Sequence, residues 1–538
     1  MFKEIENFPR HFDYDISAKK SLAPRLSSAH RITAPAIAAL TGFALLLTAC
    51  HFYFAARGGL SNDEAYYWLW AMHPALSYFD HPPMVAWIVA AGRWLAGDTP
   101  LGVRFGAPIL YVVAGLALFR TANLLYGIKI AIASCWIALA MPLLAVGGII
   151  ASPDAPSVLF WNLTVWAIAE FWHSQNPRWW LAVGVFAGCG LLSKYTNLFL
   201  GASILIWLTA VPGNAKSFRL PQFWLGGIIA TALFMPVVLW NYDHEWASFA
   251  MQFGRVTQNS TRFGHFEILM IGTYLGLASP VIACLAIAGL SGTARAAYEQ
   301  RQSQDVLLCA IILPVLAYFL VHALHDRVHF NWMAPIYPFL AICAARGLEL
   351  YVREPWRRSV FLSALSVGFL STAVIFAHAL KPMSAGRDFD IMGETRGWST
   401  FATAVDAIRQ QEHAGWIATS TFATNAQLEF ALGERTAVAF DRHEHRVVAK
   451  TVHTTNLASD APLDRAITDE LAAVGESQQR NGAKARSALA VAHTIELSQQ
   501  LRDIVAVAGV LTGVARRPHA RRTPECVDFE AGVVGKCG

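Results

Sequence analysis

The chain has 538 residues, of which 55% are hydrophobic and only 15% are charged, and its mean hydropathy is +0.39. In soluble domains about a quarter of all residues are charged, so this composition excludes an ordinary water-soluble protein and predicts an integral membrane protein. The net charge of +5 is small for the length and gives no argument for nucleic-acid binding.

Apolar segments long enough to cross a bilayer as helices recur along the chain. Residues 1–33, which precede the first of them, are too polar and too long for a cleavable signal peptide. A span needs roughly 20 mostly apolar residues, and by this measure the sequence predicts about eleven spans. Their limits are 34–56, 106–124, 128–150, 156–173, 179–193, 197–212, 222–240, 267–290, 305–324, 331–349 and 359–380.

Lysine and arginine alternate between the connections in the way that the positive-inside rule requires. With residues 1–33 in the cytoplasm, the basic residues concentrate in the even-numbered connections. The odd-numbered ones, which include 57–105, 151–156 and 241–266, then lie outside. Acids and bases that gather on one face predict a polar cavity there, because ionisable groups at membrane depth are usually functional. We expect a multi-pass membrane protein with its site facing away from the cytoplasm.

The first outer connection contains SNDEAYYWLWAMHPALSYFDHPPM, residues 61–84. Ser61 and Glu64 match an S-x-x-E capping box, which gives Glu64 a structural alternative to substrate binding. Asp63 is not needed for that cap. Adjacent helical residues diverge by about 100°, so one acid can cap the helix while the other faces a cavity.

Four further candidate residues lie on outer connections. Pro82 and Pro83 hold Asp80 and His81 on a stiff, extended segment. Asp154 is the acid of ASPDAP. Lys194, in SKYTN, lies where the positive-inside rule disfavours lysine, although a lysine that snorkels to the interface is the alternative interpretation.

These motifs together resemble the integral-membrane glycosyltransferases with the C-type fold. The closest branch contains the protein O-mannosyltransferases and aminoarabinose transferases, with bacterial enzymes that modify lipopolysaccharide. The resemblance covers roughly residues 30–440 in order. It rests on DEAYYW, YFDHPPM, ASPDAP, GLLSKYTNLFL (190–200), WNYDHEWASFAMQFGRV (240–256) and HFNWMAPIYP (329–338).

The resemblance implies an enzyme that takes a sugar from a polyprenyl-phosphate donor and transfers it to an envelope glycolipid, with inversion of the anomeric centre. The reaction is expected on the outer, periplasmic face of a bacterial inner membrane. Lipid A and the lipopolysaccharide core are the expected acceptors. By similarity, Asp63 is the candidate general base, and Asp154 is a second carboxylate of the catalytic site, which positions the acceptor or the sugar. The expected substrate-binding residues are Glu64, Asp80, His81, Lys194, Arg255 and Tyr337, of which Lys194, Arg255 and Tyr337 lie on the side of the carrier phosphate. Whether the site binds a divalent metal ion stays an open question, and Asp80, His81 and His244 are the candidate ligands.

The predicted architecture is a polytopic α-helical membrane protein with a small α/β region near its C-terminus. Residues 1–33 are a cytoplasmic segment, and residues 34–380 form the transmembrane catalytic domain. Residues 381–445 form an extracytoplasmic α/β region in which GWIATSTF and RTAVAF are short strands. We predict no fold for residues 446–538.

Two other functions are compatible with the sequence. The acceptor of a family member can be a protein serine or threonine. Alternatively, a secondary transporter could use Asp63 and Asp154 as proton or ion relays. Transporters place such groups near the bilayer midplane and often have related halves. Here the acids lie in outer loops and the halves show no repeat, so the sequence favours the transferase.

Overall fold

The computed structural model describes residues 19–254, 265–324, 326–381, 393–411, 416–419, 421–433 and 437–440. All of them belong to one compact unit of the chain, which comprises residues 1–383 and 392–455. A second unit, formed by residues 384–391 and 456–538, lies outside the described residues. The predicted 446–538 tail and the first 18 residues also lie outside them.

The described chain is almost entirely helical. Its α-helices up to the last apolar one are α1 (Lys19–Ala55), α2 (Asn62–Met72), α3 (Met84–Ala96), α4 (Pro100–Arg104), α5 (Gly106–Tyr126), α6 (Ile128–Ala140), α7 (Pro142–Gly147), α8 (Asp154–Ser174), α9 (Trp179–Ser193), α10 (Leu198–Ala210), α11 (Pro221–Asp243), α12 (Ala247–Gly254), α13 (His265–Ala278), α14 (Pro280–Gln300), α15 (Ser303–His322), α16 (Tyr337–Tyr351) and α17 (Glu354–Leu380).

Residues 393–440, here called the C-terminal segment, contain both helices and strands. The helices are α18 (Trp398–Gln411) and α19 (Phe422–Leu432), and the strands are β1 (Trp416–Thr419) and β2 (Ala437–Phe440). The strands are parallel, and Trp416 pairs with Ala437. Parallel strands need a crossover connection, and α19 provides it. GWIATSTF and RTAVAF, the two predicted strand sequences, contain β1 and β2.

Six helical segments in the described part of the chain are long and apolar enough to cross a membrane. They are Ala34–Ala55, Pro100–Tyr126, Pro221–Asp243, Pro280–Gln300, Ser303–His322 and Glu354–Leu380. Shorter apolar helices include α3, α6 and α9. The polytopic helical class is confirmed, whereas the count of about eleven spans stays a prediction.

Some predicted spans are interrupted by proline. The segment 267–290 was expected to be one helix, but it forms α13 and α14 with a break at Ser279, whose φ is +73°. Pro280 begins α14, where its missing N–H costs nothing. Residues 128–150 likewise divide between α6 and α7 at Pro142. The sequence prediction was wrong there because hydropathy alone does not register such breaks.

Small residues bring pairs of apolar helices into close contact. A Cβ atom at Gly289 of α14 would lie 1.7 Å from the carbonyl oxygen of Cys343 in α16. A Cβ at Gly184 of α9 would lie 2.2 Å from the carbonyl oxygen of Gly226 in α11. Small residues allow such backbone approach in membrane helices. These contacts fix the helices whose ends carry the candidate site.

Candidate active site

The two adjacent acids of α2 have different environments. Ser61 caps the helix: its Oγ accepts a hydrogen bond from the Glu64 N–H, and its own N–H donates to Glu64 Oε2. Glu64 is 1% exposed, whereas Asp63 is exposed. The sequence prediction that one acid caps and the other faces outward agrees with this geometry.

Glu64 forms a buried ion pair rather than part of a substrate site. Arg104 Nε and Nη2 donate to its two carboxylate oxygens at 2.7 and 2.6 Å, and the Ala151 N–H donates to Oε1 at 3.1 Å. Burial alone would raise the pKa of Glu64, but the Arg104 charge and hydrogen bonds outweigh burial and lower it. Glu64 does not line the cavity described next, so the expectation that it contacts substrate is corrected.

A polar cavity of about 670 Å³ opens beside Asp63. This cavity, here called the polar cavity, lies among α2, the segment before α3, the start of α8, the junction of α9 and α10, α12, α15, the residues before α16, and α19. Its polar and aromatic lining residues are Asp63, Tyr66, Tyr67, Asp80, His81, Ser152, Asp154, Lys194, Tyr195, Thr196, Phe199, Gln252, Phe253, Tyr318, Phe319, His322, His329, Asn331, Trp332 and Phe422.

One wall of this cavity carries the acids of the first connection. Tyr66 OH donates to Asp80 Oδ2 at 3.2 Å, and Gln252 Nε2 donates to the Asp80 carbonyl oxygen at 2.6 Å. His81 packs near the ring of Tyr67, with centroids 6.4 Å apart. Burial, and then the carboxylates of Asp63 and Asp80, raise the pKa of Tyr67 well above its usual range. This wall is therefore electronegative.

The other wall carries a buried ion pair. Asp154 is the first residue of α8, and Lys194 directly follows α9. Lys194 Nζ donates to Asp154 Oδ1 at 2.6 Å, and Asn331 Nδ2 donates to Asp154 Oδ2 at 2.6 Å. Both Asp154 oxygens thus accept a hydrogen bond. An ammonium has three N–H donors, and Asp154 is the partner of Lys194 among the described residues.

Two further predicted site residues lie outside the cavity, and a third belongs to a part of the chain that the structure does not describe. Tyr337 is 2% exposed and donates its hydroxyl to the carbonyl oxygen of Tyr274 at 3.1 Å. The ring of His244 stacks on that of Trp240, and His244 Nδ1 forms a hydrogen bond of 2.7 Å with the carbonyl oxygen of Trp240. Tyr337 and His244 both lie outside the polar cavity, which corrects their expected roles. Arg255 lies outside the described residues.

The predicted metal set does not come together. Asp80 and His81 line the cavity, but His244 does not. Among the described residues, no three histidine, cysteine, aspartate or glutamate side chains could hold a metal ion. Asp80, His81 and His244 therefore do not form one metal site in the described part of the chain.

The structure adds residues that the sequence did not single out. Asn331 holds Asp154, and Gln252 holds the Asp80 backbone. The polar Asn331 within HFNWMAPIYP was a usable signal, because it lies beside an apolar segment. Phe422 reaches the polar cavity from α19, with its ring centroid 4.9 Å from that of Tyr66. Local sequence gave no signal for Phe422.

The C-terminal segment also contacts the start of α2. Gln427 Nε2 donates to the Leu60 carbonyl oxygen at 2.9 Å and to Asn62 Oδ1 at 3.2 Å. Asn62 Nδ2 in turn donates to Glu394 at 3.4 Å. Burial, and then the charges of Asp63 and Glu64, raise the pKa of Glu394. Residues immediately before Asp63 are therefore held by this distant part of the chain.

Comparison with known proteins gives matches in sequence and in fold. Residues 80–240 match the family of dolichyl-phosphate-mannose-protein mannosyltransferases. The chain is 24% identical over 327 residues to the lipid A galacturonosyltransferase RgtD of Rhizobium johnstonii, a match that covers 59% of this chain and 67% of that protein.

The fold is similar to that of ArnT from Cupriavidus metallidurans. For the structure bound to undecaprenyl phosphate, the TM-score is 0.57 at 13% identity, over 75% of this chain and 85% of that one. For the apo structure the values are 0.50 and 15%, over 73% and 75%. The C-type fold predicted from the motifs is confirmed.

Proposed function

We propose that this chain, a C-type membrane glycosyltransferase that takes its sugar from a lipid-phosphate donor, transfers that sugar to lipid A or the lipopolysaccharide core. The reaction would occur at the periplasmic face of the inner membrane. The observation that carries the proposal is one cavity with an exposed carboxylate, Asp63, on one wall and a buried cation, Lys194, on another.

The donor fits the Lys194 side of the cavity. A sugar phosphate leaves readily when its charge is offset, and the ammonium has N–H donors beyond the one used by Asp154. Leu198, Phe199 and Phe319, from α10 and α15, extend this side with apolar surface. Such surface suits a polyprenyl chain whose phosphate meets Lys194.

Asp63 acts as the general base in this proposal. Its carboxylate takes the proton of an acceptor hydroxyl, whose oxygen attacks the anomeric carbon from the face opposite the phosphate. The bond between that carbon and the phosphate oxygen breaks, and the phosphate leaves with the electron pair. One displacement inverts the anomeric centre. No general acid is required, because the departing oxygen belongs to a phosphate.

Asp154 orients Lys194 rather than acting as a second base. Both of its carboxylate oxygens already accept strong hydrogen bonds, from Lys194 and from Asn331. With both oxygens engaged by donors of the protein, this carboxylate serves to position its partners. It keeps the flexible lysine side chain at the position where the donor phosphate arrives.

The lipid acceptor is supported by the similarity to lipid A galacturonosyltransferase over more than half of the chain. The family description, which names a protein mannosyltransferase, supports a second candidate with a protein hydroxyl as acceptor. The two candidates share the donor chemistry and the role of Asp63. They differ only in the fraction of the cell envelope in which the product is found.

Mass spectrometry of the lipid A and lipopolysaccharide fraction tests the proposal. Cells carrying the wild-type chain are compared with cells carrying Asp63→Asn, at equal protein levels. Asp243→Asn serves as the matched control, because Asp243 is exposed at the end of α11 and does not line the cavity. We expect Asp63→Asn alone to remove one sugar mass, since loss of a general base costs about 10²- to 10⁴-fold in rate.

The other outcomes are equally informative. An unchanged glycolipid profile together with a lost glycoprotein would support the protein acceptor. If both profiles stay unchanged, the transferase is not expressed in its active state or the role of Asp63 is wrong, and transport assays become the next experiment.

A membrane-impermeant maleimide tests the orientation of the site. In a cysteine-free background, a single cysteine at position 243 should react in intact spheroplasts. A single cysteine at position 299, which is exposed in the last turn of α14, should react only after permeabilisation. The reverse pattern would place the cavity on the cytoplasmic face.

A further inference from the structure

A second cavity, of about 440 Å³, lies among α1, α5, α6, α7 and α8. Its lining is mainly apolar, and Leu40, Leu144 and Val158 are typical members; we call it the apolar cavity. Leu45 and Leu116 at its rim are 62% and 66% exposed. Because α1 and α5 are candidate spans, that rim faces the hydrocarbon of the bilayer. A void of this kind destabilises a protein in proportion to its volume, which favours an occupant.

The apolar cavity borders the same elements as the active site. Val158 lies four residues after Asp154 on α8, about 6 Å along the helix axis. Pro338, at the start of α16, also lines the apolar cavity, and Asn331 shortly before it holds Asp154. An amphiphile whose head lies in the polar cavity could therefore extend its chain into the apolar one.

One buried polar group favours one kind of lipid chain over another as the occupant of the apolar cavity. His51 is 6% exposed and lines the apolar cavity. Within the described part of the chain, its Nε2 atom has no hydrogen-bond partner. Buried polar atoms usually have one, so this nitrogen points to a ligand with a polar group. A polyprenyl chain offers none along its length, whereas an acyl chain carries an ester or amide and can carry a hydroxyl.

The donor already has an apolar path on another side. Leu198, Phe199 and Phe319 lie in the polar cavity together with Lys194, on α10 and α15. None of these residues lines the apolar cavity. A chain attached to the phosphate at Lys194 would therefore follow α10 and α15. The acceptor is left with the path between α1 and α5.

We propose that the apolar cavity binds one acyl chain of the lipid acceptor and that His51 bonds the ester, amide or hydroxyl group of that chain. The proposal rests on the lipid-acceptor function given above. It explains how a membrane-embedded acceptor is aligned: one chain is fixed beside α8, and the head group is thereby presented at the cavity that contains Asp63.

Two glycines give a matched pair of variants. Gly115 lines the apolar cavity, and a Cβ atom added there meets no heavy atom within 4 Å. Gly42, on α1, has the same open surroundings but does not line that cavity. Gly115→Phe would therefore place a ring at the cavity from a position where the Cβ atom itself meets no neighbour, and Gly42→Phe introduces the same residue elsewhere in an apolar helix. His51→Leu removes the polar atom and keeps the volume similar.

The experiment is native mass spectrometry of the detergent-purified proteins, titrated separately with synthetic lipid A and with undecaprenyl phosphate. Unfolding temperatures, measured in parallel, verify that each variant is folded. We expect Gly115→Phe to raise the Kd for lipid A about tenfold, because a displaced chain loses its packing contacts. His51→Leu should raise it about fivefold, the loss of roughly one hydrogen bond. Gly42→Phe should match the wild type, and binding of undecaprenyl phosphate should not change.

Every other outcome has a distinct meaning. Unchanged lipid A binding in a folded Gly115→Phe protein would overturn the inference and leave the transferase intact. Weaker binding of undecaprenyl phosphate instead would assign the cavity to the donor and also overturn it. If the wild type does not bind lipid A at all, the lipid-acceptor function itself fails.

Discussion

Two buried acid–base pairs lie at the first connection and the polar cavity, and each joins residues 40 positions apart. Glu64 and Arg104 form a bidentate pair, and Arg104 also donates to the carbonyl oxygens of Arg57 and Gly59. Asp154 and Lys194 share a single bond on the wall of the polar cavity. In the first pair, the hydrogen-bonding groups of Arg104 and Glu64 are engaged by the protein and buried. In the second pair, Lys194 retains N–H donors that can bind a ligand.

The choice of cation follows this difference. Arginine presents a rigid fork that matches a carboxylate and adjacent carbonyl groups, so it suits a permanent cross-link between α4 and α2. Lysine is a compact charge on a flexible stem, with N–H groups that can turn toward a second anion. A buried ion pair is therefore not evidence of function by itself. What separates the two is whether the cation has donors that the protein leaves to a ligand.

The largest expected effect is on the structural pair. Glu64→Gln would leave the Arg104 guanidinium buried without a counter-charge, and breaking a buried pair from one side costs about 3–5 kcal/mol. We expect a strongly lowered unfolding temperature for the purified protein in detergent. The double variant Glu64→Gln, Arg104→Met should recover much of the loss. A single variant with the stability of the wild type would contradict the structural role.

The cavity pair should respond in activity rather than in stability. In the proposed reaction, Lys194→Met removes the charge that would offset the departing phosphate, so we expect the transfer rate to fall about 10²- to 10³-fold. Asp154 keeps its bond from Asn331 and a path to cavity water, so the unfolding temperature should fall less than in Glu64→Gln. Lys194→Arg retains the charge and should keep part of the rate. Equal losses of stability in both pairs would remove the distinction.

The other anchor of α2 should have an intermediate effect. Gln427→Leu removes the bonds to Leu60 and Asn62 and leaves the Leu60 carbonyl oxygen buried without its donor. We expect kcat to fall about tenfold because Asp63 is less well positioned, with little change in the KM for the donor. Gln410→Leu, at an exposed position of α18, is the control. A change in KM alone would argue against a positioning role.

A half-buried carboxylate, Glu429 of α19, shows what happens without a cation. Glu429 bonds Asn425, and among the described residues no basic side chain pairs with it. Burial raises the pKa of Glu429 to about 7 from an ordinary 4.5. The unfolded chain thus releases this proton before the folded one, and stability falls as pH rises from about 4.5 to 7. Glu64 has the opposite sign, because its lowered pKa gives stability that is lost as pH falls.

Glu429→Gln should therefore flatten the pH dependence of stability. The expected gain near pH 7 to 8 is on the order of 1 kcal/mol after solvent screening, the smallest of these effects. Unfolding temperatures of both proteins between pH 5 and pH 8 measure it. Parallel curves for wild type and variant would show that Glu429 titrates normally.

Sequence patterns located the carboxylate and ammonium groups that line the polar cavity. The capping box separated Glu64 from Asp63, and the positive-inside rule grouped Asp63, Asp154 and Lys194, which the structure brings to one cavity. These predictions rested on local rules: a cap, a helical angle and the charge bias of connections. Such rules act over a few residues and can be read directly from the chain.

The partners of these residues could not be predicted in the same way. Arg104 as the counter-charge of Glu64, Asn331 as the donor to Asp154 and Phe422 as a cavity wall all depend on how distant segments pack. The resemblance also assigned Tyr337 to the phosphate side, but its hydroxyl is directed to the backbone of Tyr274. A motif gives residue types in order and does not give the direction of a side chain.

The bond from Gln427 to Leu60 spans 367 positions of the chain. During synthesis, α2 leaves the ribosome long before α19 exists, and chains grow at roughly 5–20 residues per second. The candidate base must therefore wait about 20 to 70 seconds for its last support. A chain that ends before residue 427 lacks Gln427, and with it the bonds to Leu60 and Asn62 that hold the start of α2 beside Asp63. The support of the candidate base is therefore complete only when this late part of the chain has been made.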